Sequence, residues 1–260
     1  MALEPIGPVV VGVDGSVSSR AAALLAADEA MAWVTPLVVV NAFDEWQAPR
    51  VAETIAADAV AEHPGLAVSF RAVRGEPARI LTREARDACL LVVGHERRPA
   101  SRRGAMSGSR VAEQLVRLSP VPLIVHQPLA FDEEVELPRP VVVGVDATSG
   151  DQSVVEFAFA EAALRGVPLV AVHVADDDRR ARWRLSEAID RWVDKYPELE
   201  VRRIVRHGLD APVALTAASR SAQLTVVGPG GSTAQVLLRR AAGPIAVVPS
   251  LAGARDGSRP

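Results

Sequence analysis

Short apolar runs punctuate the chain at Val9–Asp14, Leu37–Ala42, Leu66–Val73, Cys89–Gly94 and Pro122–His126. Between them the apolar positions switch to helical spacing, as at Ala22, Leu25, Ala26, Ala30 and Trp33. The pattern predicts strands over the apolar runs and helices over Ser18–Val34, Val51–Ala61 and Pro77–Ala88, with a further helix opening at Ser109. Ser18 is the expected N-cap of the first helix, and Pro36 stops it. His63-Pro64-Gly65 closes the second, and Pro77 sits in the first turn of the third. Strands apolar on both faces, separated by helices, are the mark of a parallel sheet covered on each side.

The pattern then repeats. Pro8-Val-Val-Val-Gly-Val-Asp-Gly-Ser16 returns as Pro140-Val-Val-Val-Gly-Val-Asp-Ala-Thr148, 132 residues later. Further strands are predicted at Pro168–Val174, Glu200–Arg206, Gln223–Gly228 and Ile245–Pro249, with the longest helix at Asp178–Tyr196. Ala112, Leu115 and Val116 match Ala234, Leu237 and Leu238 in the final helices. The chain is therefore read as two copies of one domain, 1–127 and 140–250, joined by an acidic linker, 128–139, and followed by a disordered tail, 251–260. The expected fold class is α/β: two repeated doubly wound domains, each a five-stranded, mainly parallel sheet with helices on both faces. The halves are expected to pair as an intramolecular pseudo-dimer through Leu123–Val125 and Ile245–Val247. Whether a homodimer forms as well is left open.

Charge and composition narrow the function. A net charge near −3 gives no argument for nucleic acid or for an anionic membrane. No apolar stretch approaches the length of a membrane span, and the first residues lack the pattern of a signal peptide. The single cysteine, Cys89, excludes an intramolecular disulfide and reads as a small core residue. A cytoplasmic protein is the expectation. Lys195 is the only lysine, placed on what reads as the solvated side of a helix, so no P-loop lysine follows a Gly-rich turn.

Open parallel sheets bind ligands beyond the carboxyl ends of their strands, where the strand order reverses. That rule selects Gly12, Val13, Asp14, Gly15 and Ser16 after the first strand, Asn41 and Ala42 after the second, and Gly94 after the fourth. The next helix opens with Gly108-Ser109-Arg110. Free amides, a hydroxyl and the positive end of the helix dipole suit a phosphate there. Asp14 suits a ribose hydroxyl or a Mg²⁺ ion. His95 and Glu96 read as ordinary loop polarity.

At these residues the chain resembles the universal stress protein family in its tandem form. Family members carry Asp at the end of the first strand and a Gly-x2-Gly-x9-Gly-[Ser/Thr] phosphate loop after the fourth, and one branch binds ATP. The resemblance implies a five-stranded α/β fold and a regulatory protein of the stress response. It implies a site for ATP or another adenine nucleotide, with Mg²⁺ at Asp14, in the first half. Gly12, Val13, Asp14, Ala42, Gly94, Gly108 and Ser109 carry over directly, with Arg110 beside them. Arg97 stands where the family has its second glycine, and the spacer is one residue longer. In the second half twelve residues of that loop are missing and Gly228-Pro-Gly-Gly-Ser232 remains, so weak or absent nucleotide binding is expected there. No catalytic set is evident, so the chain is read as no enzyme, with ATP hydrolysis very slow at most. The alternative is a nucleotide-free interaction module on the same fold. Arg97, Arg98, Arg102 and Arg103 would then dock an unknown protein partner rather than clamp phosphate.

Overall fold

The computed structural model describes residues 7–43, 50–96, 108–128, 138–146, 152–176 and 178–250. The linker core, the arginine loop and the tail at 251–260 lie outside them. The chain divides into two compact units, Met1–Pro128 and Leu129–Pro260. The first alternates β1 (Val9–Gly12), α1 (Val17–Ala32), β2 (Leu37–Phe43), α2 (Arg50–Glu62), β3 (Val68–Arg74), α3 (Pro77–Glu84), β4 (Leu90–Gly94), α4 (Gly108–Leu118) and β5 (Leu123–His126). The second repeats the order with β6 (Val141–Gly144), α5 (Gln152–Arg165), β7 (Leu169–Val174), α6 (Asp178–Lys195), β8 (Val201–Arg206), α7 (Ala211–Ala218), β9 (Leu224–Val227), α8 (Thr233–Arg240) and β10 (Ile245–Val247).

Every strand pair within a unit is parallel. The strand order is β3-β2-β1-β4-β5 in the first unit and, in mirror listing, β8-β7-β6-β9-β10 in the second. Successive right-handed crossovers run outward from β1 to β3 and then return past β1 to β4. That reversal puts α1 and α2 on one face of the sheet and α3 and α4 on the other. The fold class expected from the sequence is the one observed.

The two repeats share their packing residue by residue. Gly12 in β1 lies beneath Leu81 of α3; a Cβ there would sit 2.6 Å from Leu81 Cδ1 and 3.3 Å from Val93 Cγ1. Gly144 lies beneath Leu215 of α7 in the same way, at 2.6 Å from Cδ1 and 3.4 Å from Val227 Cγ1. A strand glycine is what lets each helix leucine reach the sheet. The matched helix residues Ala112, Leu115 and Val116, and Ala234, Leu237 and Leu238, are all buried.

Four details differ from the sequence reading. The edge strands β3 and β8 are not apolar on both faces: Arg202, Arg203 and Phe70 are exposed, because an edge strand has only a partial helical cover. Ser16, not Ser18, caps α1, its Oγ accepting from the Ser19 amide at 3.1 Å. Helix α3 stops at Glu84, and Ala85–Asp87 tighten into a 3₁₀ turn before β4. Lys195 is not on a solvated face: its Nζ lies 4.7 Å from the Trp192 ring centroid and 3.4 Å from Glu156 Oε1.

Helix α1 ends in a Schellman turn, with Thr35 N–H donating to Ala30 and Val34 N–H to Met31. Val34 carries the positive φ, 52°, that this turn requires. Helix α5 closes identically through Val167 to Ala162 and Gly166 to Ala163, and there Gly166 takes φ 63°. The left-handed region costs an L residue about 1–2 kcal/mol, and glycine's greater chain entropy offsets part of any relief. Val34 is 91% exposed, so its side chain contributes no packing. Val34→Gly is therefore expected to stabilise the protein by about 1 kcal/mol, and Gly166→Val to destabilise it by a similar amount. Urea denaturation of both variants measures this.

Candidate functional site

The sheet of the first unit reverses its direction of winding between β1 and β4, and α1 and α4 both begin at the carboxyl edge of that crevice. Val13, the first residue past β1, is clamped on both sides. Its amide donates to Val40 at 2.8 Å, and its carbonyl accepts from Asn41 Nδ2 at 2.8 Å. Asp14 follows and is exposed, while its Oδ1 accepts from the Ser16 amide at 2.9 Å. Gly15 makes the turn with φ +83°, a value open to glycine at no steric cost. The carboxylate of Asp14 is thus held at the mouth of the crevice by a rigid turn, with its second oxygen uncommitted to that turn.

In the first turn of α1 the Ser19 amide and the serine hydroxyls are bonded locally. Ser16 Oγ takes the Ser19 amide, Ser19 Oγ donates to the Ser16 carbonyl at 3.0 Å, and the Ser16 and Ser18 hydroxyls lie 3.1 Å apart. Helix α4 opens at Gly108, and Arg110 on its first turn is exposed. Arg97 falls outside the described residues.

Gly94 has a different immediate role. A Cβ there would lie 2.4 Å from the Ser18 carbonyl oxygen and 2.7 Å from the Ser19 nitrogen. Its lack of a side chain lets β4 press against the backbone of α1 and so sets where the Asp14 turn stands. Ala42 is half-buried at the end of β2, beside Asn41. Gly12 lies one step deeper, under Leu81. The structure thus gathers Val13, Asp14, Ala42 and Gly94 along one edge, with Gly12 as their support.

Two observations were not read from the sequence. Asn41 is fully buried and acts as the clamp on Val13. The repeat held the signal: His173 stands 132 residues later, is buried, and its Nδ1 meets the Val145 carbonyl at 2.7 Å. Since a carbonyl only accepts, His173 carries a proton on Nδ1. His95, read as loop polarity, is buried, and its amide donates to the His126 carbonyl at 3.0 Å. Burial pushes the His126 imidazole below its usual 6.5.

For a metal ion, Asp14 offers a hard oxygen of the kind Mg²⁺ prefers. Among the described residues no group of three His, Cys, Asp or Glu side chains forms a metal cluster. A Mg²⁺ at Asp14 would accordingly complete its shell with phosphate oxygens and water. Burial, with a smaller contribution from the Glu29 carboxylate, pushes the Cys89 thiol up to about 11, which disfavours the reactive thiolate.

The second unit keeps the clamp and the exposed Asp146, but only Gly228–Ser232 separate β9 from α8. Gly231 turns with φ +65°, and Ser232 makes no side-chain capping bond. The strand edge survives and the loop above it does not.

These features define a tandem doubly wound α/β protein whose two copies differ in the length of the connection after the fourth strand. The model of the Universal stress protein family matches the chain twice, over residues 5–127 and 138–249, and the chain belongs to that family. A universal stress protein of Mycobacterium tuberculosis is 31% identical over 272 residues, covering 88% of this chain and 90% of the relative. A second from the same organism is 33% identical over 231 residues, covering 79% and 82%. Among solved structures, a universal stress protein of Archaeoglobus fulgidus aligns with a TM-score of 0.67 at 18% identity, covering 95% of this chain and 97% of its own. A functionally unknown protein of Pseudomonas aeruginosa aligns at 0.66 and 16% identity, covering 95% and 94%. Both structural matches speak to the fold. No helix among the described residues is long and apolar enough to cross a membrane.

Proposed function

We propose that this universal stress protein is a cytoplasmic regulatory protein that binds one adenine nucleotide, ATP with Mg²⁺, in its first half. The observation that carries the reading is the Asp14 turn. An exposed carboxylate, fixed by the Ser16 amide and by the clamp on Val13, stands at the crevice on whose edge α4 opens with Gly108. Asp14 would hold the ribose or the metal. The amides of Gly108 and Ser109 would take phosphate oxygens, and Arg110 would add positive charge. The nucleotide is a regulatory ligand in this reading. The only lysine is engaged with Trp192 and Glu156 in the other unit, so turnover is slow. The arginine at position 97, in place of the family glycine, favours the second reading, in which the loop docks a protein partner without nucleotide.

Equilibrium binding of ATP to four variants tests the assignment. Charge-assisted hydrogen bonds are worth about 1.5–3 kcal/mol each, so Gly108→Val and Asp14→Ala should each weaken ATP at least about tenfold. Gly230→Ala and Asp146→Ala, the counterparts in the second unit, should leave affinity within about twofold of the parent. Equal sensitivity of both sets would sink the asymmetry, and no binding to the parent would favour the docking module. Pairing of the two halves belongs to the same reading. Separately expressed halves that stay monomeric when mixed would remove it.

A further inference from the structure

We infer that the second unit binds a small apolar carboxylic acid in the groove between α7 and the edge strand β8. Helix α7 packs on β6 and β7, and a groove of about 650 Å³ runs beside it. That volume is within the range of small-molecule sites. Val142, Val170, Val172 and Ile204 form its floor, and Ala214, Ala217 and Ala218 its helical wall. Strand pairing sets Val170 beside Arg202, Val172 beside Ile204 and Val174 beside Arg206. Arg202, Ile204 and Arg206 therefore share the groove face of β8, with the two arginines about 13 Å apart. The groove lies on a face of the sheet rather than at the strand ends, and it owes nothing to the nucleotide reading of the first unit.

The first unit has the same groove, filled. Leu81 and Leu215 each lie over a strand glycine, so Ile80, Arg83 and Glu84 of α3 correspond to Ala214, Ala217 and Ala218 of α7. The pairing of β2 with β3 and of β7 with β8 puts Arg71 where Ile204 stands, and Val73 where Arg206 stands. Ile80 is buried, and the Glu84 carboxylate, itself only 9% exposed, pairs with Arg71 and Arg83. An isoleucine and a shielded ion pair thus occupy in one unit the space that three alanines leave open in the other.

The charge follows the same division. No acid lines the groove of the second unit. Arg202 is held by Glu200, its Nε donating to Oε1 at 2.8 Å. Arg206 has no bonded partner among the described residues. One end of the groove therefore carries a positive charge that nothing in its lining offsets, and the acid that α3 supplies at Glu84 has no counterpart on α7. A ligand carboxylate meets Arg206, and the hydrocarbon part lies along Ile204 and the valines. Leu209, half-exposed, extends the apolar lining.

Calorimetric titration of octanoate into the full chain tests the site, with octanol and acetate as separate arms. Octanoate should saturate a single site, octanol should bind about tenfold more weakly, and acetate should not bind detectably. Arg206→Val, which installs the first unit's residue, should weaken octanoate about tenfold and leave octanol unchanged. Ile204→Arg combined with Ala218→Glu rebuilds the first unit's ion pair in the groove and should abolish binding of both. Ala214→Ile, the first unit's other filling residue, should do the same if the double variant fails to fold. Asp14→Ala should leave the titrations unchanged. Absence of saturation, equal affinity for octanoate and octanol, binding retained in both filled variants, or loss of binding in Asp14→Ala would each overturn the proposal.

Discussion

Gly94→Ala lowers the stability of the protein by about 3 kcal/mol, the upper end of what a forced extra methyl costs in a packed interior. The added Cβ meets the backbone of α1, at 2.4 Å from the Ser18 oxygen, 2.5 Å from its carbon and 2.7 Å from the Ser19 nitrogen. No rotamer change relieves that contact, so either the first turn of α1 lifts away from β4 or the strand end moves. Gly12→Ala provides the control. Its nearest neighbours are the Leu81 methyls, at 2.6 and 3.0 Å, and a leucine tip can rotate, so a cost near 1 kcal/mol is expected. The displaced turn in Gly94→Ala also carries Ser16, whose amide holds Asp14, so ATP affinity should fall in the same variant. Denaturant unfolding of the two alanine variants separates the cases. A Gly94→Ala protein no less stable than Gly12→Ala would mean that β4 does not press on α1 as described.

The second large effect lies in α5. Glu161 is fully buried, and its carboxylate pairs with Arg165 one turn on, whose side chain is only 17% exposed. Arg165→Ala strips a buried carboxylate of its cation. Breaking such a pair costs about 3–5 kcal/mol, and protonation of the stranded acid keeps the loss near the lower figure. Replacing both partners tells a different story: Glu161→Leu combined with Arg165→Met should recover most of the loss, because a buried ion pair and an apolar pair of similar volume are nearly equivalent. Thermal unfolding of the single and double variants checks both statements. A single variant within 1 kcal/mol of the parent would contradict the first.

Much of this architecture is legible in the chain because apolar runs and the repeated Val-Gly-Val-Asp are strong local signals. Parallel strands such as β1 and β6 are buried on both faces, so their sequence announces them. The edges are less legible. Strand β8, Val-Arg-Arg-Ile-Val-Arg, is half-exposed, and its pattern reports a partial cover rather than a core. The cap of α1 was displaced by two residues because Gly15, with its positive φ, brings the chain into the helix earlier than the apolar spacing suggests. Lys195 reads as solvated by charge alone. Its burial depends on Trp192 and Glu156, which stand on different helices.

The ligand edge was legible as a set of positions and not as a set of roles. Asp14 stands exposed where strand-end logic puts it. Gly94, selected as the end of the fourth strand and the first glycine of the family loop, also accommodates the backbone of α1, a contact between segments 76 residues apart in sequence that no motif encodes. Asn41 and His173 are different residue types doing one task, donating to the carbonyl just past the first strand of each repeat. Only the superposition of the two units makes that equivalence visible. The arginine loop, 97–107, lies outside the described residues.

The proposed function rests on one asymmetry, a connection between the fourth strand and the last helix that is long in the first unit and only five residues in the second. Calorimetric titration of Mg²⁺-ATP into the intact chain measures its consequence directly. One nucleotide per chain, with affinity reduced at least about tenfold by Asp14→Ala and unchanged by Asp146→Ala, is the predicted result. Two equivalent nucleotides per chain, or one that survives Asp14→Ala and is lost with Asp146→Ala, would contradict it.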